Sequence, residues 1–236
     1  MKIEVWSDIM CPFCYIGKKH LETALKQFHD ADTINVEWKS YQLDPYIPRH
    51  PSDKNTYQYL AENKGMSYED AKRMTADVAQ AGAQTGVTLD FERAVVANSF
   101  DAHRLIHLAQ TKGLADPVKE GLFLAHFTDG KDINNREVLL AVGTAAGLTE
   151  AEVAAVLDSD KYGDEVKRDI REAREIGVRG VPFFVFNRKY AISGAQPPDT
   201  FLQTLEKSFA EWRAENPKVT LTVTDGPTCG PDGRCD

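Results

Sequence analysis

Hydrophobic and polar positions alternate at the start of the chain, with Ile3 and Val5 set against Lys2 and Glu4. The same period of two returns at Ile34, Val36 and Trp38 against Asn35, Glu37 and Lys39, and runs on to about Leu43. Such alternation turns one set of side chains to a core, so both stretches predict half-buried strands. Between them the period lengthens: Leu21, Ala24, Leu25 and Phe28 recur at helical spacing, opposite Lys18, Lys19, Glu22 and Lys26. A strand, a helix and a second strand joined by a crossover predict parallel pairing. Pro45, Pro48 and Pro51 then break the pattern.

From about Thr56 to Ile176 nearly everything reads as helix. Ser67 with Asp70 and Thr149 with Glu152 suggest capping boxes, and Asp116-Pro117 reads as an N-cap followed by proline at the first helical position. Apolar stripes follow at Met74 and Val78, at Leu105, Ile106 and Leu108, at Leu122, Phe123 and Phe127, and at Val138, Leu139 and Val142. Gly86, Gly113, Gly130 and Gly147 are plausible stops. These signals predict a lobe of about five to six helices inserted between strands. Strand character returns over 178–186, followed by a turn at 187–190, a partner at 191–193 and an amphipathic helix from about Pro198 through Trp212. The expected organisation is α/β, with a strand-bearing unit over 1–50 and 177–214, a helical unit over 51–176 and a tail over 215–236.

The chain has 236 residues, 42% of them hydrophobic, which is ample for a buried core. Its 28 Lys and Arg against 36 Asp and Glu leave a net charge of -8, which argues against nucleic acid as a partner. No stretch approaches the roughly 20 apolar residues of a membrane span. Met1-Lys2-Ile3-Glu4-Val5 enters a strand directly, without the apolar run of a signal peptide, which predicts a cytoplasmic protein. Four cysteines in a reducing compartment point to redox or metal chemistry more than to a structural framework.

Cys11-Pro12-Phe13-Cys14 stands where the first strand gives way to the first helix. With Cys11 as N-cap, Pro12 falls at the first helical position and the N–H groups of Phe13 and Cys14 point at the Cys11 sulfur. That geometry and the positive end of the helix dipole favour a thiolate, which predicts a depressed Cys11 pKa. Cys14 lies on the same helical face but deeper, as suits a resolving thiol. The same C-x-x-C could be half of a zinc site or two buried apolar residues, although the flanking strand and helix and the intervening Pro12 favour redox chemistry. Pro182, after β-branched Val181, is a place for a cis peptide or for a trans proline that merely starts an edge strand. His103 and His107 have the spacing of a two-histidine metal face, with His126 a third candidate, but a histidine packed beneath the active site fits the pattern better.

The order of strand, C-P-F-C at a helix start, strand, helical insertion, Gly180-Val181-Pro182-Phe183-Phe184-Val185-Phe186 hairpin and closing helix resembles the DsbA-like branch of the thioredoxin superfamily. Within it the chain is similar to the FrnE-type cytoplasmic proteins, over about residues 1–214. The resemblance implies a thioredoxin fold with a helical cap and thiol–disulfide oxidoreductase or isomerase activity without a cofactor. It implies that Cys11 attacks, that Cys14 resolves, and that Val181 and Pro182, with Pro12 and Phe13, hold the substrate. Partners would be protein or peptide thiols and disulfides, with glutathione or a thioredoxin-type reductant as electron source. The branch also contains glutathione-dependent isomerases and kappa-class transferases, whose position matching Cys11 carries serine; both cysteines here favour dithiol chemistry.

Cys229 and Cys235 lie in a Gly- and Pro-rich tail. A bridge across their five intervening residues would add only about 2.3 kcal/mol by loop closure, so a second redox pair suits them better than a staple. Two idle thiols in a frayed tail are the plain alternative. A zinc module using Cys11, Cys14, Cys229 and Cys235 is a third, with a second spacing wider than zinc sites favour.

Overall fold

The computed structural model describes residues 1–50, 52–218, 222 and 224. Four strands, β1 (Lys2–Ser7), β2 (Asn35–Ser40), β3 (Phe183–Phe186) and β4 (Tyr190–Ser193), form one sheet in the order β2-β1-β3-β4. β1 pairs parallel with β2 and antiparallel with β3, and β3 with β4 is an antiparallel hairpin. The crossover between the parallel strands is α1 (Pro12–Gln27). The chain closes with α9 (Pro198–Glu215), packed beside α1 on one sheet face over Ile3, Val5, Phe184 and Phe186.

The other face is covered as well. Between β2 and β3 the chain forms α2 (Thr56–Lys64), α3 (Tyr68–Gln84), α4 (Phe100–Gln110), α5 (Ala115–Phe123), α6 (Arg136–Ala145), α7 (Glu150–Leu157) and α8 (Gly163–Glu175). The last of these returns to the sheet, burying Trp6 and Val185 against Ala173 and Val178. The indole N–H of Trp6 donates to the Asp169 carbonyl at 3.0 Å. β1 is therefore buried on both faces, where alternation predicted one, and Glu4 is 1% exposed. Its carboxylate is neutralised by Arg188 and by Lys2 at 3.3 Å, which is what a buried charge requires.

Seven helices stand in the insertion where the pattern predicted five to six. α2 buries no residue and so carries no apolar stripe; its start is fixed by the Asn55–Gln58 capping box. Residues 85–99 carry no helix, although Val87, Leu89, Phe91, Val96 and Ala97 are buried there. α5 begins at Ala115 with Leu114 as N-cap; Asp116 lies inside the first turn, where it faces the helix dipole and Lys18 of α1 at 3.2 Å. β2 ends at Ser40, short of Leu43, because its last amide bonds the Asp169 carboxylate at 2.9 Å. No helix among the described residues is long and apolar enough to cross a membrane. Cys229 and Cys235 lie outside the described residues.

Candidate active site

β1 delivers the chain into a tight turn at Asp8-Ile9-Met10, closed by the Cys11 N–H donating to the Asp8 carbonyl at 3.3 Å. Cys11 is the N-cap of α1 in extended conformation, with Pro12 following at the helix start. Cys11 and Cys14 are both free thiols and both buried, 4% and 1% exposed. Phe13 between them is 46% exposed and marks the open side of the pair. The Val181–Pro182 peptide is cis, and the Cys11 S–H donates to the Val181 carbonyl at 3.5 Å. Two segments separated by 170 positions thus meet at one sulfur.

What permits the approach is Gly17. A Cβ there would stand 3.0 Å from Pro182 Cγ and 3.1 Å from Phe184 Cζ, so a side chain forces the Pro182 and Phe184 rings to give by a few tenths of an ångström. Gly17→Ala is expected to destabilise the fold by about 1–3 kcal/mol, the usual cost of overpacking, and to slow exchange at Cys11. Urea unfolding together with a thiol alkylation rate checks both effects.

The low Cys11 pKa expected from helix capping is corrected by this environment. The Cys11 side chain makes no cap hydrogen bond, and the Cys14 N–H closes on the Cys11 carbonyl at 3.0 Å. The Cys11 thiol is held well above its ordinary range, first by its hydrogen bond with the Cys14 side chain, then by burial, by negative charge on Cys14 and by Asp8. The Cys14 N–H pulls the other way without prevailing. In the reduced protein the Cys11 thiol therefore keeps its proton.

Beneath the thiols lies a buried polar cluster. Burial pushes the Asp8 carboxyl up, but His103, the Leu43 N–H and Ser99 outweigh it and hold the group below the usual carboxylate range. His103 Nε2 lies 3.3 Å from Asp8 Oδ1, and the Leu43 N–H donates to Oδ2 at 2.7 Å. Burial lowers His103 against the pull of Asp8, and takes His126 down to about 4. Lys119 is fully buried between the Trp38 and Phe123 rings. Pattern reading missed Asp8 and Lys119. For Lys119 there was a signal: it shares the helical face of Leu122 and Phe123, where a lysine is out of place.

His103 packs beneath the thiols against Asp8, as the pattern favoured over a metal face with His107. His107 turns instead to Ser40 Oγ and Asp169 Oδ2, both at 3.1 Å. Among the described residues, no group of three or more His, Cys, Asp or Glu is placed to hold a metal ion.

The sequence also matches known proteins. The family model of the DSBA-like thioredoxin domain matches residues 2–206. YwbO, an uncharacterized protein of Bacillus subtilis, is 24% identical over 203 residues, covering 84% of this chain and 92% of its own. The crystal structure of a probable DsbA oxidoreductase from Streptomyces coelicolor superposes with a TM-score of 0.84 at 36% identity, covering 100% of this chain and 98% of that one. The cytosolic disulfide reductase DsbM of Pseudomonas aeruginosa superposes with a TM-score of 0.63 at 19% identity, covering 89% and 100%, and has also been solved with GSH. The superposition on the Streptomyces coelicolor structure, the dithiol at the mouth of α1 and the match across most of the chain lead to one conclusion: this protein belongs to the DSBA-like thioredoxin domain family, and its chemistry is thiol–disulfide oxidoreduction.

Proposed function

We propose that Cys11 and Cys14 are the redox pair, and that the chain works as a reductase or isomerase of protein and peptide disulfides in the cytoplasm. The observation that carries this is the Cys11 sulfur held against the Val181 carbonyl at the open end of α1, with Cys14 buried behind it. Cys11 attacks the substrate disulfide, forming a mixed disulfide and releasing one substrate thiolate. Cys14 then attacks Cys11 Sγ, releasing the second thiolate and leaving a Cys11–Cys14 disulfide. Val181 and Pro182 offer a backbone segment just before β3 beside which a substrate strand can align. Pro12 and Phe13 form the near rim, where a groove of about 470 Å³ runs past Phe13, Ile16, Lys19 and His20 to α3.

The direction follows from the protons. A strongly oxidising pair stabilises its reduced form as a low-pKa thiolate. Here the hydrogen bond with the Cys14 side chain, burial and the Asp8 charge deny Cys11 that stabilisation, which favours electron donation to substrates. Glutathione or a thioredoxin-type reductant would restore the dithiol. Cys229 and Cys235 are proposed as a second redox pair that exchanges with the first.

Reduction of a fluorescent peptide disulfide, driven by glutathione, tests the assignment. The wild type is expected to turn over and the Cys11→Ser/Cys14→Ser chain is expected to be inactive, whereas Cys229→Ser/Cys235→Ser should lower turnover and leave the melting temperature almost unchanged. Glutathione conjugation or isomerisation of a small molecule by the Cys11→Ser/Cys14→Ser chain would instead favour a glutathione-dependent isomerase or kappa-type transferase.

A further inference from the structure

One group in the cluster beneath the thiols has no part in the exchange steps above. Lys119 on α5 is 0% exposed, and its Nζ has no hydrogen-bond partner among the described residues. Two aromatic faces hold it: Trp38 from β2 and Phe123 from α5, each with its centroid 5.3 Å from Nζ. Rings attract a cation but do not replace its hydration, so a buried ammonium needs negative charge nearby. The groups that favour its charge when they ionise are Cys14 foremost, then Asp8 after β1 and Cys11, opposed by Lys18 on α1; His103 on α4 feels its charge in turn. Burial brings the Lys119 ammonium down to about 8, so it remains mainly charged at neutral pH. Asp8 also keeps its charge, held by His103 and the Leu43 N–H.

We propose that Lys119, reaching in from the helical insertion, is a positioning residue for the redox pair, a buried counter-charge that favours the Cys14 thiolate during resolution of the mixed disulfide on Cys11. This rests on the Cys11–Cys14 exchange proposed above. In the resolving step the Cys14 thiol gives its proton to solvent and the thiolate forms a bond to Cys11 Sγ. The bond from Cys11 Sγ to the substrate sulfur breaks, and the substrate leaves as thiolate. Two electrons pass from the dithiol to the substrate disulfide, and Lys119 keeps its own protons throughout.

The test is a quenched-flow reaction of the reduced full-length chain with dithiobis(nitrobenzoate), across pH 5–10. Peptide masses report two phases, appearance of the Cys11 adduct and its conversion to the Cys11–Cys14 disulfide. In Lys119→Met the pH midpoint of the second phase is expected to rise by about one unit. A less acidic thiolate is also a better nucleophile, so the variant should be about threefold slower than wild type below the midpoint, and the two rates should converge on the high-pH plateau, where the wild-type Lys119, brought down to about 8, is itself uncharged. That convergence separates a charge effect from damage to the fold, which slows both limbs. Lys119→Gln, also uncharged, should converge in the same way. Superimposable second-phase profiles, or uniform slowing in both variants, overturn the proposal while leaving the exchange itself intact. A wild-type chain that never converts its adduct overturns the exchange reading, and the proposal with it.

Discussion

Replacing Cys14 with serine is expected to turn a catalyst into a trap. The first transfer needs only the Cys11 sulfur, which stands at the head of α1 beside exposed Phe13, so Cys14→Ser should still form a mixed disulfide with substrate. Serine cannot attack that disulfide, and Cys14 sits in the wall of the site, so substrate thiols in solution have a poor route to the Cys11 sulfur. The adduct should accumulate to near one equivalent and be visible on a non-reducing gel. Cys11→Ser removes the attacking atom and should cost about three orders of magnitude in turnover, with no adduct on Cys14 because that thiol is only 1% exposed. Adducts mapped to Cys14 in the Cys11→Ser chain would reverse the two roles.

Acid should weaken the fold through His126 before it titrates the carboxylates. The ring lies within the π turn that ends α5, edge-on to Phe127 at 4.4 Å, and its Nδ1 has no hydrogen-bond partner among the described residues. Burial lowers the imidazole from 6.5 to about 4, with Asp8 opposing weakly. The folded ring is thus neutral, and its contribution to stability is fully present above pH 6.5. As pH falls, the unfolded chain takes up a proton near its ordinary value while the folded ring refuses one until about 4. Stability is lost across that window, by about 3 kcal/mol at its lower end. His103, lowered in the same sense, adds to the loss. Asp8 and Asp169, whose carboxyls are depressed, lose their contributions only at still lower pH. Urea titrations at pH 7 and pH 4 should show the drop, and His126→Phe should flatten most of it. Equal losses in wild type and variant would place the acid sensitivity elsewhere.

Periodicity located β1, the start of α1 at Pro12, the hairpin and α9 because each carries its own local signal: alternation, a capping position, a turn or an apolar stripe. Gly86, Gly113, Gly130 and Gly147 do adopt positive φ where helices were expected to stop. The Thr149–Glu152 capping box forms as read, with both reciprocal hydrogen bonds. The segment over 85–99 was misread because its apolar residues are buried without a helical period; the Asp90 N–H, for example, bonds the Phe127 carbonyl at 2.8 Å.

The site divides along the same line. Cys11, Pro12 and Cys14 are contiguous, so their geometry was legible in the sequence. The proton affinity of Cys11 was not: Cys14 and Asp8 are its neighbours in sequence, but the hydrogen bond with the Cys14 side chain and the burial that raise it arise only in the folded site. Lys119 and His103 reach the same cluster from two helices of the insertion, about 100 positions from the thiols. Nothing in local spacing records such meetings.

The most direct test of the redox assignment is an equilibrium titration of the intact chain in dithiothreitol buffers of graded potential, with peptide masses identifying which cysteines pair. A two-electron transition linking Cys11 to Cys14 is expected, separate from that of Cys229 and Cys235, with a midpoint nearer the about −270 mV of thioredoxin than the about −120 mV of DsbA. Thiols that stay free across the range, or a Cys11 bridge to a cysteine other than Cys14, would contradict the redox pair, and a midpoint near the DsbA value would contradict the reducing direction.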